Sequence, residues 1–171
     1  MRVDSIFRPL GSVIDFMLPG DLFQAYALPI HDVCFEAVVT PTRVVRFSPP
    51  QLEQLARADR RVASDVSEAA PRAIVRLQTH ALMLGHGSAI GRIAGFLLEF
   101  ARRSGVEDDE TMTLPMSRSD IADYLGLAVE SVSRALTQLR RERVIELDGP
   151  KNVQILRRLR LEQLGAQVTP L

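Results

Sequence analysis

Apolar positions change their period twice along this chain, and each change predicts a change of structure. Between residues 12 and 47 they alternate or run in short β-branched and aromatic stretches. This predicts strands in "SVIDFML", "VCFEAVV" and "TRVVRF". "PGD" supplies a turn after the first, and Pro41 marks the bend between the second and third. Three strands bury too little to stand alone, so the segment reads as an incomplete β structure.

From Pro49 the period becomes helical. "PPQLEQLARA" predicts a short helix with proline at its start, where the missing N–H costs nothing. Asp59 is placed to cap a longer helix from about Arg60 to Leu84. Along it Val62, Val66, Ala69 and Ala73, then Ile74, Leu77, Ala81 and Leu84, repeat at three and four residues, the spacing of a seam that pairs with another helix. Pro71 removes one bond of that helix, so a kink or a break is expected there. "GHG" stops it, and Ser88 caps a following helix, "AIGRIAGFLLEFARR", in which Gly91 and Gly95 are each expected to cost up to about 1 kcal/mol.

After the polar connector "SGVEDDE" comes a short strand in "TMTLPM", then a helix "RSDIADYL" capped by Ser117. Gly126 ends that helix. A further one of about fifteen residues follows, and "RVIELDGPKNVQIL" reads as a hairpin turning at Gly149 and Pro150. Helix, glycine turn, helix, hairpin is the order of a winged helix-turn-helix, in which the second helix enters the major groove. Ile121, Ala122 and Leu125 face inward, and Val132 and Leu136 lock the second helix above them.

What remains on the other face is chemistry. Arg134 carries the planar fork that pairs with guanine O6 and N7. Glu130 can accept from the amino group of cytosine or adenine and can orient Arg134 one turn away. Ser133 is a short donor and acceptor, and Val129 suits a thymine methyl. Ser117, Arg118 and Ser119 lie at a helix N-terminus, where N–H groups and a cation fit a phosphate. Ser131 and the wing residue Lys151 are further phosphate candidates.

Composition narrows this picture without changing it. The 171 residues carry 21 basic and 21 acidic groups, so there is no globally basic coat. Residues 43–103 nevertheless hold ten arginines against five acids, and Lys151 is the one lysine. A single cysteine, Cys34, excludes a disulfide framework and any cysteine-rich metal or iron–sulfur site within one chain, and is expected to be a small buried hydrophobe. His31, His80 and His86 share no ligand spacing and are read as isolated surface or packing residues, so no metal site is expected. No nucleophile elbow, phosphate loop or metal motif frames an enzyme. No apolar run reaches membrane length, and the start lacks a signal peptide's apolar core, so a cytoplasmic protein is expected.

The segment "MSRSDIADYLGLAVESVSRALTQLRRERVIELDG" resembles the DNA-binding domain of the Crp/Fnr (cyclic-AMP-receptor-protein) family, and "VESVSR" its FNR/FixK branch. "FMLPGDLF", "EAVVTPTRVVRF" and "LMLGHGSAIGRIAGFLLEFARR" are similar to that family's roll, roll exit, end of the dimer helix and hinge. The resemblance implies an α+β chain: a partial β-roll over residues 1–48, dimerisation helices over 49–87 and a winged helix-turn-helix over 88–171. It implies a homodimeric transcriptional regulator that binds double-stranded DNA at palindromes such as TTGAT-N4-ATCAA, with RNA polymerase as a partner. Its base-reading positions fall on Val129, Glu130, Ser133 and Arg134, in a recognition helix spanning 128–139. The family's cyclic-nucleotide pattern is not found after "PGDLF", where Gln24, Ala25 and Tyr26 stand, nor are cluster-holding cysteines, so no cofactor is expected. The alternative reading is a remnant without a sensor, acting as a dimerisation partner of full-length relatives.

Overall fold

A computed structural model of the chain describes residues 2–5, 12–23, 33–85, 87–107 and 110–166. Three short strands, β1 (Arg2–Ser5), β2 (Ser12–Phe16) and β3 (Val33–Glu36), form an antiparallel sheet in the order β2-β1-β3. Arg2 stands opposite both Phe16 and Glu36. Helices α1 (Pro49–Ala58), α2 (Arg60–Gly85) and α3 (Ala89–Ser104) follow, then β4 (Thr111–Thr113), α4 (Arg118–Leu125), α5 (Val129–Arg141), β5 (Ile145–Asp148), β6 (Asn152–Ile155) and α6 (Arg158–Ala166). The second sheet is antiparallel in the order β4-β6-β5, with Ile145 opposite Ile155 and Asp148 opposite Asn152. The chain is thus α+β, as expected, and among its described residues no helix is long and apolar enough to cross a membrane.

Three expectations for the first half fail. The strand expected at "TRVVRF" does not form: residues 42–47 run outside any sheet, Val45 is 73% exposed, and among the described residues no strand lies beside them. β-branched residues favour a pleated, half-buried surface, and without a neighbour that preference has nothing to act on. β3 likewise ends at Glu36, short of Val38 and Val39, whereas β1 adds a strand ahead of the expected three. Cys34 is exposed rather than buried. Of the three histidines, His31 and His86 lie outside the described residues.

Of the kink or break expected at Pro71, the break is absent: α2 continues through it to Gly85. Alanines flank the proline at 69, 70 and 73, and Arg72 pairs with Glu68 one turn back at 3.0 Å, so strong helix formers sit on both sides of the lost bond. Asp59 separates α1 from α2, its carboxylate accepting the Arg61 N–H at 2.7 Å. Ser88 caps α3 as expected, accepting the Gly91 N–H at 3.2 Å.

The core lies in the second half. Ile93, Leu97 and Phe100 of α3, Ile121 and Leu125 of α4, Val132, Leu136 and Leu139 of α5, and Ile145 and Val153 of the wing form one buried cluster. Each contributes about 1.5–3 kcal/mol of burial. Val13 and Phe16 join it from β2, whereas α2 adds only Met83 and the buried His80 to the interior. Helix α6, which the apolar pattern did not reveal, packs on α3 through Leu161. The two helices meet at glycines: a Cβ on Gly165 would stand 3.3 Å from the backbone nitrogen of Gly95. That close approach constrains Gly165, whereas a Cβ on Gly95 would meet only the Met83 side chain at 3.7 Å.

Candidate nucleic-acid interface

Local chemistry starts and stops the two helices of the motif. Ser117 caps α4 reciprocally: its Oγ accepts the Asp120 N–H at 3.0 Å, and the Asp120 carboxylate accepts the Ser117 N–H at 2.8 Å. Gly126 ends α4 at φ +60°, a conformation that favours glycine, and a Cβ there would also lie 3.2 Å from Leu84 Cδ2. Helix α5 begins at Ala128 with no side-chain cap, which leaves its N-terminal N–H groups facing outward.

Helix α5 divides cleanly. Val132, Ala135, Leu136 and Leu139 are buried against the core, while Val129, Glu130, Ser133 and Arg134 are exposed together on the opposite face. Ser131 is half-buried beside them. Glu130 and Arg134 do not form the expected ion pair; Arg134 instead lines a cleft of about 330 Å³ with Ser133, Thr137, Gln138 and Arg141. Between exposed charges such a pair gains little, so solvation wins. The sequence reading stopped at Arg134, although residues 137, 138 and 141 continue its spacing by three, four and seven.

The phosphate candidates flank this helix. Ser117 and Ser119 are exposed at the start of α4, and Lys151 is exposed beyond the turn at Gly149, whose φ is +70°. Ser117 and Lys151 border one cavity of about 240 Å³, together with Glu36 and Val38 from the end of the first sheet. Arg118 is half-buried and donates to the Pro150 carbonyl at 3.1 Å, tying the start of α4 to the wing; burial holds its guanidinium below its ordinary pKa. Part of its hydrogen-bonding capacity therefore serves the wing.

Behind the motif, residues far apart in sequence fix its orientation. The His80 ring of α2 stacks on Tyr124 of α4, with centroids 3.9 Å apart and planes within 5°, and its Nε2 pairs with the Tyr124 carbonyl. Phe16 of β2 packs on the other rings of the group, 5.2 Å from Tyr124 and 6.3 Å from Phe96. Arg92 Nη1 donates to the Leu125 carbonyl at 2.9 Å. Beside these rings Asp15 accepts from Arg76 Nε at 3.0 Å and from Arg103 at 3.4 Å, and Arg103 also reaches Asp21 and the Phe16 carbonyl, each at 2.7 Å. Burial pushes the His80 imidazole below its ordinary range and the Tyr124 phenol above its own.

A core-packed helix pair, a glycine turn, an exposed second helix and a three-stranded wing define a winged helix-turn-helix protein. A model of the Crp-like helix-turn-helix domain matches residues 91–164. The solved structure of FixK2 from Bradyrhizobium japonicum superposes with a TM-score of 0.67 and 30% identity, over 95% of this chain and 82% of that one. The nitrogen fixation regulation proteins FixK of Rhizobium meliloti and Azorhizobium caulinodans are 34% and 38% identical over 145 and 154 residues, 85% and 88% of this chain. The chain belongs to the Crp/Fnr family, in its FixK branch. It spans 64% and 62% of the lengths of those two relatives.

Proposed function

We propose that this chain is a sequence-specific DNA-binding transcriptional regulator that acts as a homodimer on a palindromic operator. The observation that carries the reading is the division of α5, whose apolar half anchors it while Val129, Glu130, Ser133 and Arg134 stand clear of the protein. A rigid helix whose exposed first turns carry a guanidinium, a carboxylate, a hydroxyl and an apolar group suits the donors, acceptors and methyls of the major groove. In this reading Ser117, Arg118, Ser119, Ser131 and Lys151 hold the phosphates on either side, with the Arg118 contact shared with the wing. The names of the FixK relatives, and the match of residues 91–164 to the Crp-like helix-turn-helix domain, support the same class. RNA polymerase as a partner and a cytoplasmic location follow from that class.

Dimerisation rests on α2. Of the seam positions, Ile74, Leu77 and Leu84 are exposed along a helix that buries only His80 and Met83. A second α2 covering that seam would place two recognition helices about one turn of DNA apart.

Selecting bound fragments from random DNA and then titrating Arg134→Ala tests the proposal. The selected site is expected to be a palindrome containing a guanine in each half. The substitution should cost about 1–3 kcal/mol on it and relax the requirement for that guanine. Equal weakening on every sequence would make Arg134 a phosphate contact, and no preferred fragment would refute sequence-specific binding.

A further inference from the structure

We infer that Arg141 is a DNA phosphate contact, placed two turns behind the base-reading end of α5; the inference rests on the recognition-helix reading above. Four arginines on the helices of this chain pair with a glutamate about one turn away: Arg57 with Glu53 at 2.6 Å, Arg72 with Glu68 at 3.0 Å, Arg102 with Glu99 at 2.8 Å and Arg158 with Glu162 at 3.2 Å. Arg141 has no glutamate one turn back along its helix. The residues three and four before it are Gln138 and Thr137, and Glu142 beside it accepts from Gln138 at 2.9 Å. The cleft it borders is lined by two guanidiniums, two hydroxyls and an amide, with no carboxylate. That is a surface for an anion.

Its position selects the anion. Seven residues return a helix to within about 20° of the same azimuth, so Arg141 projects from the same face as Arg134. It lies about 10.5 Å further along the axis. With the first turn of α5 at the base edges of a groove about 8.5 Å deep, a side chain that far back stands at the groove mouth, beside the sugar-phosphate strand. Arg141 therefore adds affinity and alignment, and reads no base.

A cation in the last turn of a helix also favours the helix dipole, a purely structural role. Arg140 fills that role equally, but projects about 120° away from Arg134. The test measures affinity of the full chain for its selected fragment as a function of salt. Arg141→Gln is expected to lower the slope of log K against log salt by about 0.9 per half-site. For a dimer, raising salt fourfold then weakens the variant about 12-fold less than the unaltered chain. Arg141→Lys should keep the slope, and so should Arg140→Gln. An unchanged slope in Arg141→Gln, an equal change in Arg140→Gln, or a loss confined to one base pair overturns the assignment while leaving the regulator reading intact. Absence of any preferred fragment for the unaltered chain overturns both.

Discussion

Replacing Asp15 by alanine should cost about 2–3 kcal/mol, because it strands a guanidinium. The side chains of Asp15, Arg76 and Arg103 are 9%, 11% and 11% exposed, so water replaces little of what is lost. The two arginines are affected unequally. Arg103 keeps Asp21 and the Phe16 carbonyl at 2.7 Å, whereas the carboxylate that Arg76 meets is that of Asp15, at 3.0 Å. Breaking a fully buried pair from one side costs about 3–5 kcal/mol, and the open cleft of about 760 Å³ that Arg76 also borders lets water recover part of that. Urea unfolding followed by circular dichroism gives the loss as a fall in midpoint at constant slope. The double variant Asp15→Leu with Arg76→Met removes both charges, so it should lose less than the two single losses added together. A loss below about 0.5 kcal/mol in Asp15→Ala, or a double variant that loses the full sum, would show that the pair is solvated and does not clamp β2 to α2.

Two further predictions concern single residues. Arg143 holds φ +53° just beyond α5, where its N–H donates to Arg140 and the Val144 N–H to Leu139, a helix end that favours glycine; Arg143→Gly should raise the thermal midpoint by a gain of about 0.5–1 kcal/mol, and a lower midpoint refutes the strain. His80 is held below its ordinary pKa of 6.5 by desolvation, against the opposing pull of the Tyr124 carbonyl and Asp15. As pH falls below 6.5 the unfolded chain takes the proton first, so stability is full above that pH and declines toward the folded pKa. His80→Phe keeps an aromatic ring for Tyr124 and should flatten this decline in urea midpoints measured across the acid range; parallel curves would refute the assignment.

The helix-turn-helix was legible because its signals are local. Ser117, Gly126 and the spacing of Val132, Leu136 and Leu139 each act within one or two turns, so the residues that form the elements also announce them. Helix α6 was not legible, since a single buried side chain, Leu161, gives no period, and its place depends on how closely Gly165 approaches the backbone of α3 some seventy positions earlier. The run at 42–47 misled for the converse reason: its β-branched residues satisfy the strand pattern, but a strand exists only where another supplies its hydrogen bonds. A break at Pro71 did not follow because the pairing and helix-forming residues around it carry the helix past a single missing bond.

For the candidate site the limit is different. Sequence spacing gives which side chains share a face of α5, and so gathers Val129, Glu130, Ser133 and Arg134, but it does not show what else those side chains touch. Glu130 and Arg134 are spaced to pair, and they stay apart because water already solvates two exposed charges at little cost. Arg118 is spaced for phosphate, and it proves also to donate to the wing at the Pro150 carbonyl. The orientation of the whole motif is further still from the sequence, because it depends on His80, Tyr124, Phe16 and Arg103, which come from four different elements. Such contacts form only once the chain has folded, and they decide where the legible face points. On the proposed reading, a change at Asp15 or His80 would weaken operator binding with Val129, Glu130, Ser133 and Arg134 all intact, because groove recognition is a matter of angle as much as of side chains.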